Sequence, residues 1–187
     1  MKPETKPVAI VLYGAIAVGK LTIGTLLAKK LDYKLTHNHL INDMVWSIFE
    51  RGTPEAAPLI EKLRYDMYEK AIKAGISIVI THAYAHDYVS KTGLSDPQYL
   101  KTLERKLEKA GAKVLFVHLQ ADSKTLLKRV TGESRKNYKK VTSAKSLKEV
   151  LAVRDFTTSA PVKNNLVIDN TDLEPKKVVQ MIIKHLK

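Results

Sequence analysis

The run Gly14-Ala15-Ile16-Ala17-Val18-Gly19-Lys20 has the G-x-x-x-x-G-K spacing of a loop that wraps a phosphate chain. Triphosphate oxygens need several donors converging from one side. Backbone N–H groups supply them when the chain curls closely around the anion, and Gly14 and Gly19 allow that curl because no Cβ obstructs the approach. A helix following the loop adds its free N–H groups and the positive end of its dipole. Lys20 then sets an ammonium against the outer phosphates, and Thr22 sets a hydroxyl near Mg²⁺. The chemistry implied is binding of ATP with Mg²⁺ by Gly14, Ala15, Ile16, Ala17, Val18, Gly19, Lys20, Leu21 and Thr22. The hydroxyl normally comes directly after the lysine. Here Leu21 takes that position and Thr22 follows.

A second set of polar side chains is read as contacts to an acceptor molecule: His37, Asn38, His39, Asp43, Arg64 and His82. A histidine takes a proton from a hydroxyl or hydrogen-bonds an anion. Two other readings stand beside this one. Asn38 and the histidines could cap the helix from Leu40, or His37, His39 and His82 could hold a metal. Asp43, one helical turn after His39, is the nearest acidic candidate for a base and equally suits a solvated helix position. Arg64 divides between anion contact and a surface ion pair.

These residues need elements to bring them together. Val8 to Tyr13 is an uninterrupted apolar run, as expected of a strand buried on both faces. Leu21, Ile23, Leu26, Leu27 and Leu31 recur at helical spacing after the loop. Further strands are expected at Tyr33 to Thr36, Ile76 to Ile80, Val114 to Leu119 and Leu166 to Asp169. Helical patterns lie between them. Leu40 to Phe49 forms one; Glu55 to Ala74 forms another, with Leu59, Leu63, Met67, Ala71 and Ala74 as its apolar stripe. Gln98 to Ala110 and Ser123 to Val130 are two more, the latter capped by Asp122 or Ser123. A last helix buries Val178, Val179, Ile182, Ile183 and Leu186. Ala83 to Pro97 reads as a mobile connection, and Thr131–Lys148 as a basic stretch with little to bury. Alternating strands and helices with right-handed crossovers put every strand's C-terminal end on one edge, where ligands gather. So the phosphate loop, His37–His39, Thr81-His82, Leu119–Asp122 and Asp169–Thr171 should surround one cleft.

With 187 residues, 44% of them hydrophobic and 27% charged, the sequence reads as one globular domain spanning 1–187 rather than a disordered chain. No apolar run reaches membrane-spanning length, so no membrane partner is expected. The polar, proline-containing start MKPETKP is unlike a secretion signal, which makes the cytoplasm the default expectation. Without cysteine, disulfides and thiolate metal sites are excluded. A net charge of +13 raises nucleic acid as a partner, but the lysines are spread over most segments with no basic–aromatic motif, which favours a solvated surface.

The G-K-x-T order resembles the small P-loop kinases of the nucleoside-monophosphate kinase and shikimate kinase group. Leu126-Leu127-Lys128-Arg129-Val130, followed by Arg135, is similar to that group's approach to its lid, where arginines clamp the base and the transferring phosphoryl group. Leu166 to Thr171 resembles the strand and loop that wrap adenine, which implies nucleotide contact by Asn170 and Thr171. Arg64 lies where shikimate kinases carry a substrate-binding arginine. The resemblance implies a three-layer α/β/α P-loop NTPase fold, a five-stranded parallel sheet in the order 2-3-1-4-5, and a mobile lid at about 131–148. It implies catalytic roles for Lys20, Arg129 and Arg135. His37-Asn38-His39 stands where shikimate kinases carry acidic residues, and resembles a subgroup of these proteins without an assigned substrate.

The resulting expectation is a kinase that transfers the ATP γ-phosphoryl group to a small-molecule alcohol or phosphate acceptor, as a monomer or homodimer. A nucleoside or nucleoside-monophosphate kinase, a nucleic-acid-associated ATPase and a nucleotide sensor without an acceptor are the alternatives.

Overall fold

The computed structural model describes residues 6–132 and 143–186. Five parallel strands pair in the order β2-β3-β1-β4-β5: β1 (Val8–Gly14), β2 (Lys34–His37), β3 (Ile78–Ala83), β4 (Lys113–Gln120) and β5 (Asn165–Asp169). This is the sheet order that the resemblance to the small P-loop kinases implies. Ala9 to Tyr13 of the central strand are fully buried. Ile10 and Leu12 pack with α1 (Lys20–Leu31), α5 (Ser123–Val130), α6 (Ala144–Val153) and α7 (Pro175–Leu186). Ala9, Val11 and Tyr13 pack on the opposite side with α3 (Ala56–Lys73) and α4 (Asp96–Lys109). Both faces of β1 therefore leave water, which is why its sequence is apolar at every position instead of alternating. Each large side chain so buried contributes roughly 1.5–3 kcal/mol. A smaller cluster joins Ile41 and Val45 of α2 (Asn38–Val45) to Ala56 and Ile60 of α3.

Several boundaries move relative to the sequence pattern. The second helix stops at Val45, not Phe49, and Leu40, Met44 and Ile48 face outward, so only part of that apolar set is core. In α3 the buried stripe is Ala56, Ile60, Arg64, Tyr68 and Ile72; Met67 is exposed. The stripe through Leu59 and Leu63 is thus displaced by about one position, which turns Arg64 inward. The helix read from Gln98 starts at Asp96. Ser95 caps it: its hydroxyl accepts from the Gln98 N–H, and the Gln98 side chain accepts from the Ser95 N–H. Asp122 caps α5 by accepting from the Thr125 N–H at 2.6 Å.

The stretch assigned to a lid is not all loop. Residues from Ala144 belong to α6, and Leu147 is fully buried in the core beside α5 and α7. Arg135 and residues 133–142 of that stretch lie outside the described residues. Among the described residues, no helix is long and apolar enough to cross a membrane.

Candidate active site

The loop between β1 and α1 is built as its glycines require. Gly14 and Gly19 adopt φ of 133° and 99°, and Ala17 sits at φ 66°. A Cβ on Gly14 would collide with the Leu119 carbonyl oxygen of β4, so close strand approach demands glycine here independently of its φ. The Lys20 ammonium folds back over the loop, 2.8 Å from the Gly14 carbonyl oxygen and 2.6 Å from that of Ala15. The loop opens on a cavity of about 500 Å³ lined by Ile16 to Ile23, by His37, Asn38 and His39 after β2, and by Thr81, Arg129 and Asn170. Strand ends far apart in sequence meet there because parallel pairing aligns them, with His37 opposite Thr81 and Gly14 opposite both Ala83 and Leu119.

At one end of this cavity Arg129 and Asn170 form a brace. The Arg129 guanidinium donates to Asn170 Oδ1 (3.1 Å), the Asn170 carbonyl (2.9 Å) and the Thr171 carbonyl (3.2 Å). Asn170 in turn donates to the Val18 carbonyl at 2.8 Å, tying the β5–α7 connection to the phosphate loop. Thr171 lies behind the lining. Its hydroxyl donates to Asp169 at 2.6 Å and accepts from the Asp122 N–H. Gly14 and Ala15 likewise form the loop's base, meeting Lys20 through their carbonyls.

A second cavity, of about 610 Å³, adjoins the first and shares Ile16, Asn38, His39 and Ala83 with it. Arg64 and His82 are in its wall, as are Trp46, Tyr84, Tyr88, Tyr99 and Phe156. Arg64 is buried. It donates to Asn42 Oδ1 at 2.7 Å and reaches the Asn38 carbonyl at 3.5 Å, while its buried Nε has no hydrogen-bond partner among the described residues. No described carboxylate stands within ion-pair range of it. The surface-ion-pair reading of Arg64 is therefore replaced by that of a buried guanidinium facing a cavity.

Asp43 lines neither cavity. It sits behind His39, with Oδ1 3.9 Å from His39 Nδ1. His37 occupies the N-cap position of α2 but makes no side-chain capping bond, so the capping reading does not hold for it. The described residues contain no cluster of three His, Cys, Asp or Glu that could hold a metal ion, which removes the three-histidine metal reading.

Two wall residues carry no signal in the sequence reading. Asp96, the first residue of α4, is buried beside His82, with Oδ1 3.5 Å from His82 Nε2 and Oδ2 accepting from the Ala85 N–H at 2.8 Å. Ser95-x-x-Gln98 with Pro97 between is a helix-start pattern that would have placed it there. Arg154 follows α6, stacks over Tyr88 and donates to Asp87. Burial pushes the His82 pKa below its ordinary value, against the opposing pull of Asp96.

No protein-family profile matches the sequence, and no curated protein matches it at a significant level. Solved structures do match along nearly the whole chain. A protein of Chloroflexus aurantiacus, for which kinase activity is itself an inference, is 16% identical over 98% of this chain and 100% of its own, with a TM-score of 0.69. A sugar kinase from a Janibacter species is 18% identical over 96% of this chain and 94% of its own, with a TM-score of 0.65. Shikimate kinase from Acinetobacter baumannii, solved with shikimate, is 17% identical over 98% of this chain and 94% of its own, with a TM-score of 0.61. At such identities the likeness is one of fold, and the fold is that of the small P-loop kinases.

Proposed function

We propose that this chain is an ATP-dependent phosphotransferase that acts on a small anionic metabolite bearing a hydroxyl group. The observation that carries the reading is the junction of two cavities. The one against the phosphate loop and Lys20 suits a nucleotide; the one holding buried Arg64 suits an anionic acceptor; they meet at Asn38 and His39. Phosphoryl transfer is mostly positioning and charge neutralisation, and this arrangement supplies both. Loop N–H groups and Lys20 fix the phosphates, and Arg129 braces the far end. Arg135 is proposed to join them from the lid. Arg64, His37, Asn38, His39 and His82 hold the acceptor, with Asp43 supporting His39. A cation bound for long near Arg64 would be repelled, whereas a carboxylate or phosphate of the acceptor would repay the cost of burying the guanidinium.

Mg²⁺ fits the donor set in one form. Thr22 lines the nucleotide cavity and offers one oxygen, and no described carboxylate cage is present, so the ion would take most of its ligands from phosphate and water. When bound, it neutralises charge on the transferring group. ATP as donor is the ground for reading the protein as cytoplasmic. The aromatic wall of the acceptor cavity supports a second reading, a nucleoside or nucleotide acceptor whose base stacks on Trp46 or the tyrosines.

Titration of ¹⁵N-labelled protein with Mg·ATP should shift the amides of Gly14 to Thr22. Lys20→Ala should abolish transfer from γ-³²P-labelled ATP to any member of a panel of hydroxy acids, sugars, nucleosides and nucleoside monophosphates. Unmoved loop amides, or full turnover in the Lys20 variant, would contradict the kinase reading.

A further inference from the structure

We propose that His82, with Asp96 beside it, is the catalytic base that takes the proton from the acceptor hydroxyl. The proposal rests on the kinase reading above. It starts from what the acceptor cavity lacks. The two carboxylates in its wall are Glu61 and Asp96. Glu61 is occupied by the hydroxyls of Ser90 and Thr92 at 2.9–3.0 Å. Asp96 faces the imidazole. A proton leaving the acceptor therefore has an imidazole, not a carboxylate, as its nearest built receiver.

The geometry around His82 is that of an oriented base. The Ala85 N–H fixes one Asp96 oxygen and turns the other toward His82 Nε2. The capping of α4 by Ser95 and Gln98 fixes the helix start on which Asp96 rides. Tyr99, one turn further along α4, stacks on the imidazole with centroids 4.6 Å apart and planes 10° apart. Ring plane and position are set by one helix and strand β3. At 3.5 Å the two are not hydrogen-bonded, and Nε2 is buried with no hydrogen-bond partner among the described residues, so the aspartate is the group placed to receive its proton when substrate closes the site. His82 pairs with Tyr13 in the strand register, and the next pair is Gly14 with Ala83, which lines both cavities. The imidazole thus stands one residue from the place where nucleotide and acceptor meet. His39 is the other imidazole with a carboxylate behind it, Asp43 at 3.9 Å, and that aspartate is a third exposed whereas Asp96 is buried.

The proton accounting follows. A neutral imidazole with its N–H on Nε2, directed at Asp96, leaves Nδ1 with the lone pair. Nδ1 takes the hydroxyl proton. The freed oxygen pair forms the bond to the γ-phosphorus, the bond from that phosphorus to the β–γ bridging oxygen breaks, and ADP leaves with those electrons. The imidazolium is held against the Asp96 carboxylate until it returns its proton to water. Asp96 is a positioning residue in this scheme.

The groups facing His82 are Asp96 and Tyr99 from α4, Arg64 from α3 and Lys20 from α1. The two cations and burial hold the ring neutral at neutral pH, while Asp96 opposes them. The test begins with histidine ¹⁵N–¹H correlation spectra of the unmodified protein with Mg·ADP. His82 should be neutral at pH 7.5 with its proton on Nε2, and Asp96→Asn should weaken that preference. A proton on Nδ1, or a doubly protonated ring, overturns the proposal without any acceptor being known. With the acceptor that turns over best in the panel, His82→Gln should lower kcat roughly 10²-fold and leave the Kd for Mg·ATP unchanged. The acid limb of the kcat profile, expected below pH 6.5, should disappear in that variant. Full kcat in His82→Gln, or the same loss appearing in His39→Gln instead, overturns the assignment. If Lys20→Ala is inactive while His82→Gln is not, only the base assignment falls and the kinase reading stands.

Discussion

Lowering the pH from 7.5 to 5.0 should destabilise the fold by about 2 kcal/mol through His118 alone. His118 on β4 is fully buried under the phosphate loop, stacked on Tyr13 with centroids 4.5 Å apart. Its Nδ1 lies 3.0 Å from Ser159 Oγ and its Nε2 3.2 Å from the Phe156 carbonyl. Burial lowers its pKa from 6.5 to about 4, against a smaller opposite pull from that carbonyl. The unfolded chain therefore binds a proton that the folded chain refuses. The neutral ring's contribution is complete above pH 6.5 and is lost as pH falls toward 4. The ratio of the two titration factors at pH 5.0 is close to 30, which gives the 2 kcal/mol; the limit for the whole shift is about 3.4 kcal/mol. Urea unfolding at the two pH values would measure this in the wild type and in His118→Gln. The variant begins less stable but should lose about 2 kcal/mol less on acidification. His82 is depressed in the same direction by burial and is present in both chains, so it cancels. Equal losses in the two chains would refute the reasoning.

Gly14→Ala should cost at least about 2 kcal/mol in thermal unfolding, because its Cβ would meet the Leu119 carbonyl at a φ of 133°. Gly75→Ala, at φ 77° with open space around it, should cost only about 1 kcal/mol, and equal losses would show that the β4 contact does not matter. Arg64→Met should leave the unliganded protein as stable or raise it by roughly 1 kcal/mol, since a buried charge with no counter-ion among the described residues is removed. The same change should abolish turnover of anionic acceptors, and a stability loss above about 2 kcal/mol would mean that the Asn42 bond outweighs the desolvation cost.

The parts of the site that could be read in the sequence are those whose conformation is dictated locally. The loop from Gly14 to Lys20 declares itself by glycines that its φ angles and the β4 contact require. A parallel sheet with its C-terminal ends on one edge follows from apolar strands alternating with helices and from crossover handedness, whereas the order of the strands comes from the resemblance to the small P-loop kinases. The acceptor side was harder because it is made by side chains that break the apolar pattern. Arg64 occupies a buried position in α3, so a search for apolar stripes settles on Leu59 and Leu63 one position away. Asp96 was hidden because Ala83 to Pro97 looks like a polar connection until Ser95 is recognised as a cap. Leu147 was missed for the same kind of reason, a single apolar residue in a lysine-rich stretch that turns out to be the inward side of α6.

If imidazoles stand where the resemblance implies acidic residues in shikimate kinases, the electrostatics of the proposed site change with them. Carboxylates beside a triphosphate help recruit Mg²⁺ but repel an anionic acceptor. His37, Asn38 and His39 bring no carboxylate to this part of the wall, and Asn38 and His39 stand where the two cavities join. They also offer the ion no carboxylate ligand, so under the proposed function Mg²⁺ would arrive on the nucleotide. A proton acceptor is then needed elsewhere, far enough from the phosphates not to oppose them. His82 is proposed for that part because its neighbouring carboxylate, Asp96 on α4, is itself fixed by the Ala85 N–H, while Arg64 and Lys20 act with burial to keep the imidazole neutral. The substitution after β2 and the His82–Asp96 pair after β3 are thus two halves of one electrostatic arrangement, and it suits an acceptor that is itself negatively charged.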